Sequence, residues 1–135
     1  MRFPHSLLLL FVAACGGDSL TPPLERGIRI LQGAGFADTA AAGMSQLIVE
    51  VHDTRGARVP VGTIVRFTAT NALVSQLDDN RLSSFVEKGV DASGRASVLV
   101  RLGSVAGSAM ITITVPTLAL ADTAKFTICQ AGLCS

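Results

Sequence analysis

Apolar and polar residues alternate along most of the chain with a period of two, as expected for strands that bury one face. The clearest runs have inner rows of aliphatic residues and Phe and outer rows rich in Thr, Arg and Lys; they lie at 47–51, 65–70, 95–102, 109–115 and 123–128. Turn-forming sequences with Asp or Gly separate them at 53–56, 91–94 and 103–107. Short strands at intervals of about ten residues predict an all-β fold, an antiparallel β-sandwich of about seven strands.

Two stretches break the alternation. Residues 71–82, which include the acidic run Asp78-Asp79-Asn80, are predicted to form a loop, followed by a short edge strand around 83–86. The alanine-rich stretch 36–44 favours a short helical turn. No stretch has the sustained spacing of a longer helix.

The N-terminal segment has a basic residue, Arg2, then an apolar run too short to span a membrane, and ends in Val12-Ala13-Ala14-Cys15. This order resembles the lipobox of exported bacterial lipoproteins. The resemblance implies a signal peptide at 1–14, acylation of Cys15 with fatty acids such as palmitate, and a cell-envelope location. Gly16 at the next position implies the outer membrane. The alternative is an ordinary signal peptide whose removal leaves Cys15 as a free thiol.

The rest of the chain is long enough for one domain with a single core. Residues 15–26 lack apolar periodicity and contain Thr21-Pro22-Pro23, which favours extended chain. The predicted organisation is therefore a flexible tether at 15–26, a β-sandwich at 27–129 and a C-terminal tail at 130–135.

The order of the turn motifs is more specific than any one motif. Asp53-Thr54-Arg55-Gly56 is followed by Val59-Pro60-Val61, then by Asp91-Ala92-Ser93-Gly94-Arg95-Ala96 and Ala106-Gly107-Ser108-Ala109. The series resembles the group 1 bacterial Ig-like domains, the repeats of intimin and invasin. The resemblance implies an Ig-like sandwich that serves as a spacer or adhesive module on bacterial surfaces, with no catalytic residues.

Composition excludes some functions. Without the signal peptide the chain has ten Lys or Arg and ten Asp or Glu, so no net field attracts nucleic acid. Trp and Tyr are absent, and after the signal peptide only Phe36, Phe67, Phe85 and Phe126 are aromatic. Recognition of sugars or bases by stacking is therefore disfavoured.

Two cysteines, Cys129 and Cys134, remain if Cys15 carries lipid. An exported compartment permits them to pair, and the predicted disulfide would hold the C-terminus against fraying. A zinc site is the weaker interpretation, because four ligands are needed and His52 is the only histidine after the signal peptide. No metal site and no cofactor are predicted.

Candidate chemistry is sparse. His52 and Asp53 are neighbours on a strand and should point to opposite faces, with Asp53 as a turn acceptor, so no catalytic residue is predicted. Asp78-Asp79-Asn80, helped by Asp91 or Glu87, is an alternative calcium site. Another interpretation places three cations on one outer face that could dock an acidic partner: Arg66, Arg95 and Arg101.

The sequence thus favours a lipid-anchored, non-catalytic Ig-like module with a structural or adhesin-like protein-interaction role. Its expected partners are the membrane, through the N-terminal lipid, and other envelope or surface proteins; neither nucleic acid nor a small-molecule substrate is indicated. The alternatives are a ligand- or calcium-binding envelope domain and, with least support, a small hydrolase.

Overall fold

The computed structural model describes residues 26–35, 37–39 and 44–130. These residues form ten strands, joined between the last two by a 3₁₀ turn at Pro116–Leu118. The strands are β1 (Gly27–Gln32), β2 (Ala37–Thr39), β3 (Met44–His52), β4 (Ile64–Thr70), β5 (Ala72–Gln76), β6 (Asp79–Ser83), β7 (Phe85–Gly89), β8 (Arg95–Leu102), β9 (Gly107–Val115) and β10 (Leu120–Cys129).

The strands form two five-stranded sheets. Sheet I has the order β1-β3-β8-β5-β6, and sheet II has the order β2-β10-β9-β4-β7. All neighbours are antiparallel except β2 and β10, which are parallel. The predicted all-β sandwich is confirmed, although the described residues contain ten strands rather than about seven.

Alternating side chains from both sheets fill the core. Leu47, Val49 and Val51 of β3 are fully buried, as are Ile111 and Ile113 of β9. Burying an aliphatic side chain of this size is worth about 1.5–3 kcal/mol. The inward rows of the five clear runs therefore supply most of the driving force for folding, and tryptophan is not needed.

One residue carries the chain from sheet II to sheet I. β4 ends at Thr70 and β5 begins at Ala72, and Asn71 between them has a left-handed backbone with φ of 53°. Asn tolerates this region better than most residues, because its short polar side chain can bond locally. The inward positions then shift from odd to even numbers, with Phe67 before the corner and Val74 after it.

The corner is fixed by hydrogen bonds to the turn between β8 and β9 and to the start of β9. Asn71 Nδ2 donates to the carbonyl oxygens of Val105 and Ser108, at 2.8 and 3.2 Å. The Gly103 N–H donates to the Asn71 carbonyl oxygen at 2.9 Å. A Cβ at Gly103 would lie only 2.5 Å from Asn71 Oδ1, so this close approach requires glycine.

The predicted loop at 71–82 is wrong, because most of it forms β5 and β6. The inward positions change from odd to even numbers at Asn71, and this change interrupts the period of two. The apolar pattern of the segment therefore does not indicate strands. The segment from β4 to β7 is here called the ribbon. It crosses back to sheet II at Ser84, whose carbonyl oxygen accepts the Ala69 N–H at 2.7 Å. The edge strand expected around 83–86 is β7, and it begins two residues later.

The helical turn predicted within 36–44 is also wrong where the chain is described. Residues 37–39 form β2, which pairs in parallel with the end of β10. Backbone pairing with an available strand edge outweighs the weak helix propensity of alanine. Phe36 and residues 40–43 lie outside the described residues.

Replacing Asn71 by Ala should lower the free energy of unfolding by about 2–3 kcal/mol. The change removes two hydrogen bonds of about 1 kcal/mol each and places alanine in the left-handed region. Asn71→Gly should cost less, because it loses the hydrogen bonds but not the backbone freedom. Urea unfolding at 25 °C measures both. Thr70→Ala, an exposed change beside the corner, is the control, and an equal loss in all three variants would contradict the role of Asn71.

Candidate interaction site

A shallow groove of about 400 Å³ lies on the outer face of sheet II, where β4 pairs with β7. Arg66 and Thr68 of β4 line one side, and Ser84, Phe85 and Glu87 line the other. β7 is the outermost strand of this sheet. Within the part of the chain that the structure describes, the groove therefore lies beside an unpaired sheet edge.

Phe85 supplies the apolar surface of the groove. Val86 points into the core, so the alternation of side chains turns Phe85 outward, and its exposed fraction is 51%. Its cross-strand neighbour is Thr68. A half-exposed aromatic ring offers a large, rigid contact area at low entropic cost, which is typical of residues at protein interfaces.

An ion pair forms the polar part of the groove. Arg66 and Glu87 are register partners, and Arg66 Nη2 lies 3.0 Å from Glu87 Oε1. Both side chains are more than 40% exposed, so the pair contributes at most about 1 kcal/mol to stability. Its main effect is to fix one positive and one negative charge beside Phe85.

The predicted cationic face is wrong, because its three arginines lie on opposite sides of the sandwich. Arg66 belongs to β4 in sheet II, whereas Arg95 and Arg101 belong to β8 in sheet I. Arg95 Nε also pairs with Glu50 Oε2 at 3.2 Å. Periodicity shows which residues share the face of one strand, but it does not show which sheet that strand joins.

His52 and Asp53 do not form a catalytic pair. His52 Nε2 lies 3.4 Å from Glu50 Oε1, and His52 Nδ1 is buried without a hydrogen-bond partner in the described part of the chain. Asp53 Oδ1 instead accepts the backbone N–H groups of Ala57 and Arg55, at 2.9 and 2.8 Å. Asp53 thus closes the turn after β3, as its sequence context predicts.

A second cavity of about 280 Å³ lies at the end of the sandwich where this turn meets the 3₁₀ turn. It is lined by Asp53, Val59, Pro60, Thr63, Thr117 and Leu118. The backbone N–H groups of Ala57 and Arg55 lower the pKa of Asp53 below its ordinary value of 3.8. Among the described residues that line this cavity, Asp53 is the only one with an ionisable side chain.

The acidic residues of the calcium hypothesis are dispersed over separate turns and strands. Asp79 Oδ1 accepts the Arg81 N–H at 3.3 Å, and Asp91 Oδ1 accepts the Ser93 N–H at 2.7 Å. Glu87 is paired with Arg66 as described above. Within 26–35, 37–39 and 44–130, no three His, Cys, Asp or Glu side chains come together as a possible metal site.

The cysteines are only partly covered by the structure. Cys129 ends β10, is 9% exposed and is disulfide-bonded. Its two possible partners, Cys15 and Cys134, both lie outside the described residues, so the pairing with Cys134 and the acylation of Cys15 stay predictions. No helix among the described residues is long and apolar enough to cross a membrane.

Comparisons with known proteins assign no family to the chain. No family model and no curated protein matches the chain. Among solved structures, WR4, a Caenorhabditis elegans member of the MSP family, is 15% identical with a TM-score of 0.45, over 78% of this chain and 100% of that one. A Bacillus anthracis protein described as a candidate lipoprotein is 14% identical with a TM-score of 0.47, over 77% of this chain and 73% of that one.

Sequence reasoning missed the groove at β7, although one signal was present. In the alternating run Phe85-Val86-Glu87, Phe85 and Glu87 point to one face of the strand and Val86 points to the other. Because Val86 is buried in the core, Phe85 lies on the exposed face. Its position beside Arg66 could not be inferred, because that contact depends on the return of the chain to sheet II at Ser84.

Asp53 should make the stability of the fold depend on pH. A lowered pKa means that the contribution of Asp53 is present above 3.8 and is lost as the pH falls through the folded-state value. Asn at this position keeps the turn acceptor but does not titrate. The free energy of unfolding of the wild type should therefore fall more steeply than that of Asp53→Asn as the pH is lowered below 3.8. Thr54→Ala is the control, and parallel curves for Asp53→Asn and wild type would contradict this assignment.

Proposed function

We propose that the chain is a lipid-anchored, non-catalytic Ig-like module of the bacterial cell envelope, with a structural or adhesin-like protein-interaction role. The observation that carries the interaction role is Phe85, a half-exposed ring beside an ion pair at an open sheet edge. Exposed aromatic and arginine side chains are the residue types enriched in protein interfaces.

The anchor is supported by the sequence around Cys15 and by the place where the fold begins. β1 begins at Gly27, so a tether of about 12 residues would separate an acylated Cys15 from the sandwich and could reach about 40 Å when extended. The end of the sandwich where Gly27 pairs with His52, here called the N-terminal end, would then be held close to the membrane.

The motif order that resembles group 1 bacterial Ig-like domains supports the assignment to a surface module. The turns at 53–57 and 91–95 that contribute to this resemblance are closed in the same way, by an Asp side chain that accepts two backbone N–H groups. These motifs therefore serve the fold, which leaves the outer faces of the sheets for contacts.

The alternatives have less support. Three of the residues expected to bind calcium are engaged elsewhere, because Asp79 and Asp91 accept backbone N–H groups and Glu87 pairs with arginine. The described lining of the groove at β7 contains one carboxylate, Glu87, whereas sugar hydrolysis requires two. A ligand-binding role could use this groove, but its open shape suits a protein surface better than a small molecule.

The anchoring part of the proposal predicts that Cys15→Ala abolishes membrane association. Without the thiol no acyl chain can be attached, so the hydrophobic anchor that several fatty-acid chains would supply is lost. Membrane and soluble fractions of cells that produce each variant are compared by immunoblot. Ser19→Ala is the control, and a Cys15→Ala protein that stays in the membrane fraction would refute the anchor.

The cysteine assignments together predict the intact mass of the membrane-extracted protein. It should equal residues 15–135 plus acyl chains and increase by two hydrogens on reduction, since Cys129 would be bonded to Cys134 within the same chain. A mixed disulfide or a pairing with Cys15 gives a different mass and a different proteolytic fragment. An unacylated mass would point to a soluble exported domain instead.

A further inference from the structure

Several connections meet at the N-terminal end of the sandwich. The longest of them, residues 53–63, leaves β3 at this end and leads to β4. The turn between β7 and β8 lies beside it, because the Gly62 N–H donates to the Val90 carbonyl oxygen at 2.9 Å. Gly27, where β1 begins, pairs with His52, the last residue of β3. The chain that precedes β1 therefore enters the fold beside the connection 53–63.

A tight turn in this connection exposes an apolar side chain. The Thr63 N–H donates to the Pro60 carbonyl oxygen at 3.1 Å, and Gly62 has a φ of 87°, as the third residue of a type II turn requires. Val61, the second residue, is 70% exposed. Glycine, proline and small polar residues dominate turns, so a valine is unusual here. Ile64, which follows the turn, is also exposed.

Hydrogen bonds fix the position of this turn. Thr63 Oγ1 donates to the Pro60 carbonyl oxygen at 2.6 Å, and the Val90 N–H donates to the Thr63 carbonyl oxygen at 3.0 Å. Val59, just before the turn, is buried in the core. A turn that is held on both sides loses little conformational entropy when it meets a partner. Val61 is therefore presented in a fixed place.

Three arginines lie at the same end. Arg26 directly precedes β1, and Arg55 and Arg58 belong to the connection 53–63; all three are exposed. None of them forms an ion pair with a residue that the structure describes. The acids of the adjoining turns, Asp53 and Asp91, each have one oxygen that accepts two N–H groups of its own turn. The guanidinium groups are therefore available to an external anion.

We propose that the N-terminal end docks on the phospholipid bilayer in which the chain is anchored. Val61 and Ile64 contact the boundary between headgroups and acyl chains, and Arg26, Arg55 and Arg58 bind lipid phosphates. A guanidinium group matches the geometry of a phosphate. Exposed apolar side chains bordered by basic ones are typical of surfaces that lie on membranes. The inference rests on the proposed acyl anchor.

The tether favours a bilayer over any other occupant of this surface. It has about 12 residues and reaches at most about 40 Å, so the sandwich stays within that distance of the membrane. It joins the fold at Gly27, on the end that has Val61 and the three arginines. Docking of a tethered surface is an intramolecular step with a high effective concentration. Two aliphatic and three basic side chains are then enough for a weak contact.

Docking at this end orients the rest of the sandwich and so deepens the proposed function. β3 ends and β8 begins at the docked end, so the strands extend away from the bilayer. β7 leads from Phe85 toward Val90, which lies at the docked end. Phe85 is therefore in the half of β7 that is farther from the lipid. The groove beside Arg66 and Glu87 stays accessible to another envelope protein.

Quenching by a lipid-bound quencher tests the docking. Ala57 and Ala106 are exposed alanines in connections at opposite ends of the sandwich, and each is replaced by Cys and labelled with the same fluorophore. The acylated protein is placed in vesicles of phosphatidylethanolamine and phosphatidylglycerol that contain a lipid with a quencher on its headgroup. The probe at 57 should lose most of its fluorescence. The probe at 106 should lose little, because the eight residues of β8 hold it about 25 Å away. Wild-type protein treated in the same way gives the blank.

Flotation of the same vesicles distinguishes failure of the docking from failure of the anchor. Protein that does not float with the vesicles refutes the anchor, and the docking falls with it. Protein that floats but shows equal quenching at 57 and 106, or no quenching at 57, overturns the docking and leaves the anchor intact.

Matched substitutions identify the contacts. Val61→Asp and Val105→Asp each replace an exposed valine, 70% and 66% exposed, in turns at opposite ends of the sandwich. Val61→Asp should reduce the quenching of the probe at 57, whereas Val105→Asp should not. Replacing Arg55 and Arg58 by Gln should weaken the docking equilibrium by about fivefold for each arginine. Quenching at 57 that survives both Val61→Asp and the double arginine substitution would overturn the proposed surface.

Discussion

The passage of one ribbon between the two sheets is the constraint on which the rest of the structure depends. β4 and β7 belong to sheet II, and β5 and β6 belong to sheet I, yet the chain crosses between them through single residues, Asn71 and Ser84. A strand with a strict period of two would carry its apolar row to the wrong face after such a crossing. The left-handed backbone at Asn71 corrects the phase and keeps both halves of the ribbon on one core.

Most of the fold could be predicted, because five strands are long enough to show their alternation. The five predicted runs lie within β3, β4, β8, β9 and β10. β5 and β6 could not be predicted in the same way, since the phase changes at Asn71 and the polar tip at 77–80 resembles a loop. β2 pairs through only three residues, and such a short segment has no periodicity to detect.

The candidate site was less accessible to sequence reasoning than the fold. Alternation alone can place Phe85 on the outer face. The contact between Arg66 and Glu87, however, joins β4 to β7, and it can be inferred only when the register of these two strands is known. The same limitation explains the error over the arginines. Arg66 and Arg95 have the same local pattern on their strands, and only the sheet order places them on opposite faces.

The ribbon also explains why one edge differs from the others. Because the strands of the ribbon belong to both sheets, the ribbon adds one edge strand to each sheet, β6 to sheet I and β7 to sheet II. β6 pairs with β5 in an irregular register, a feature that opposes further pairing, whereas charged side chains occur on both edges. β7 has a regular register and an exposed Phe85. Both edges belong to one ribbon, so an irregular register that hinders the addition of another strand could have occurred at both of them. The contrast between them is the structural reason to regard β7 as a contact surface.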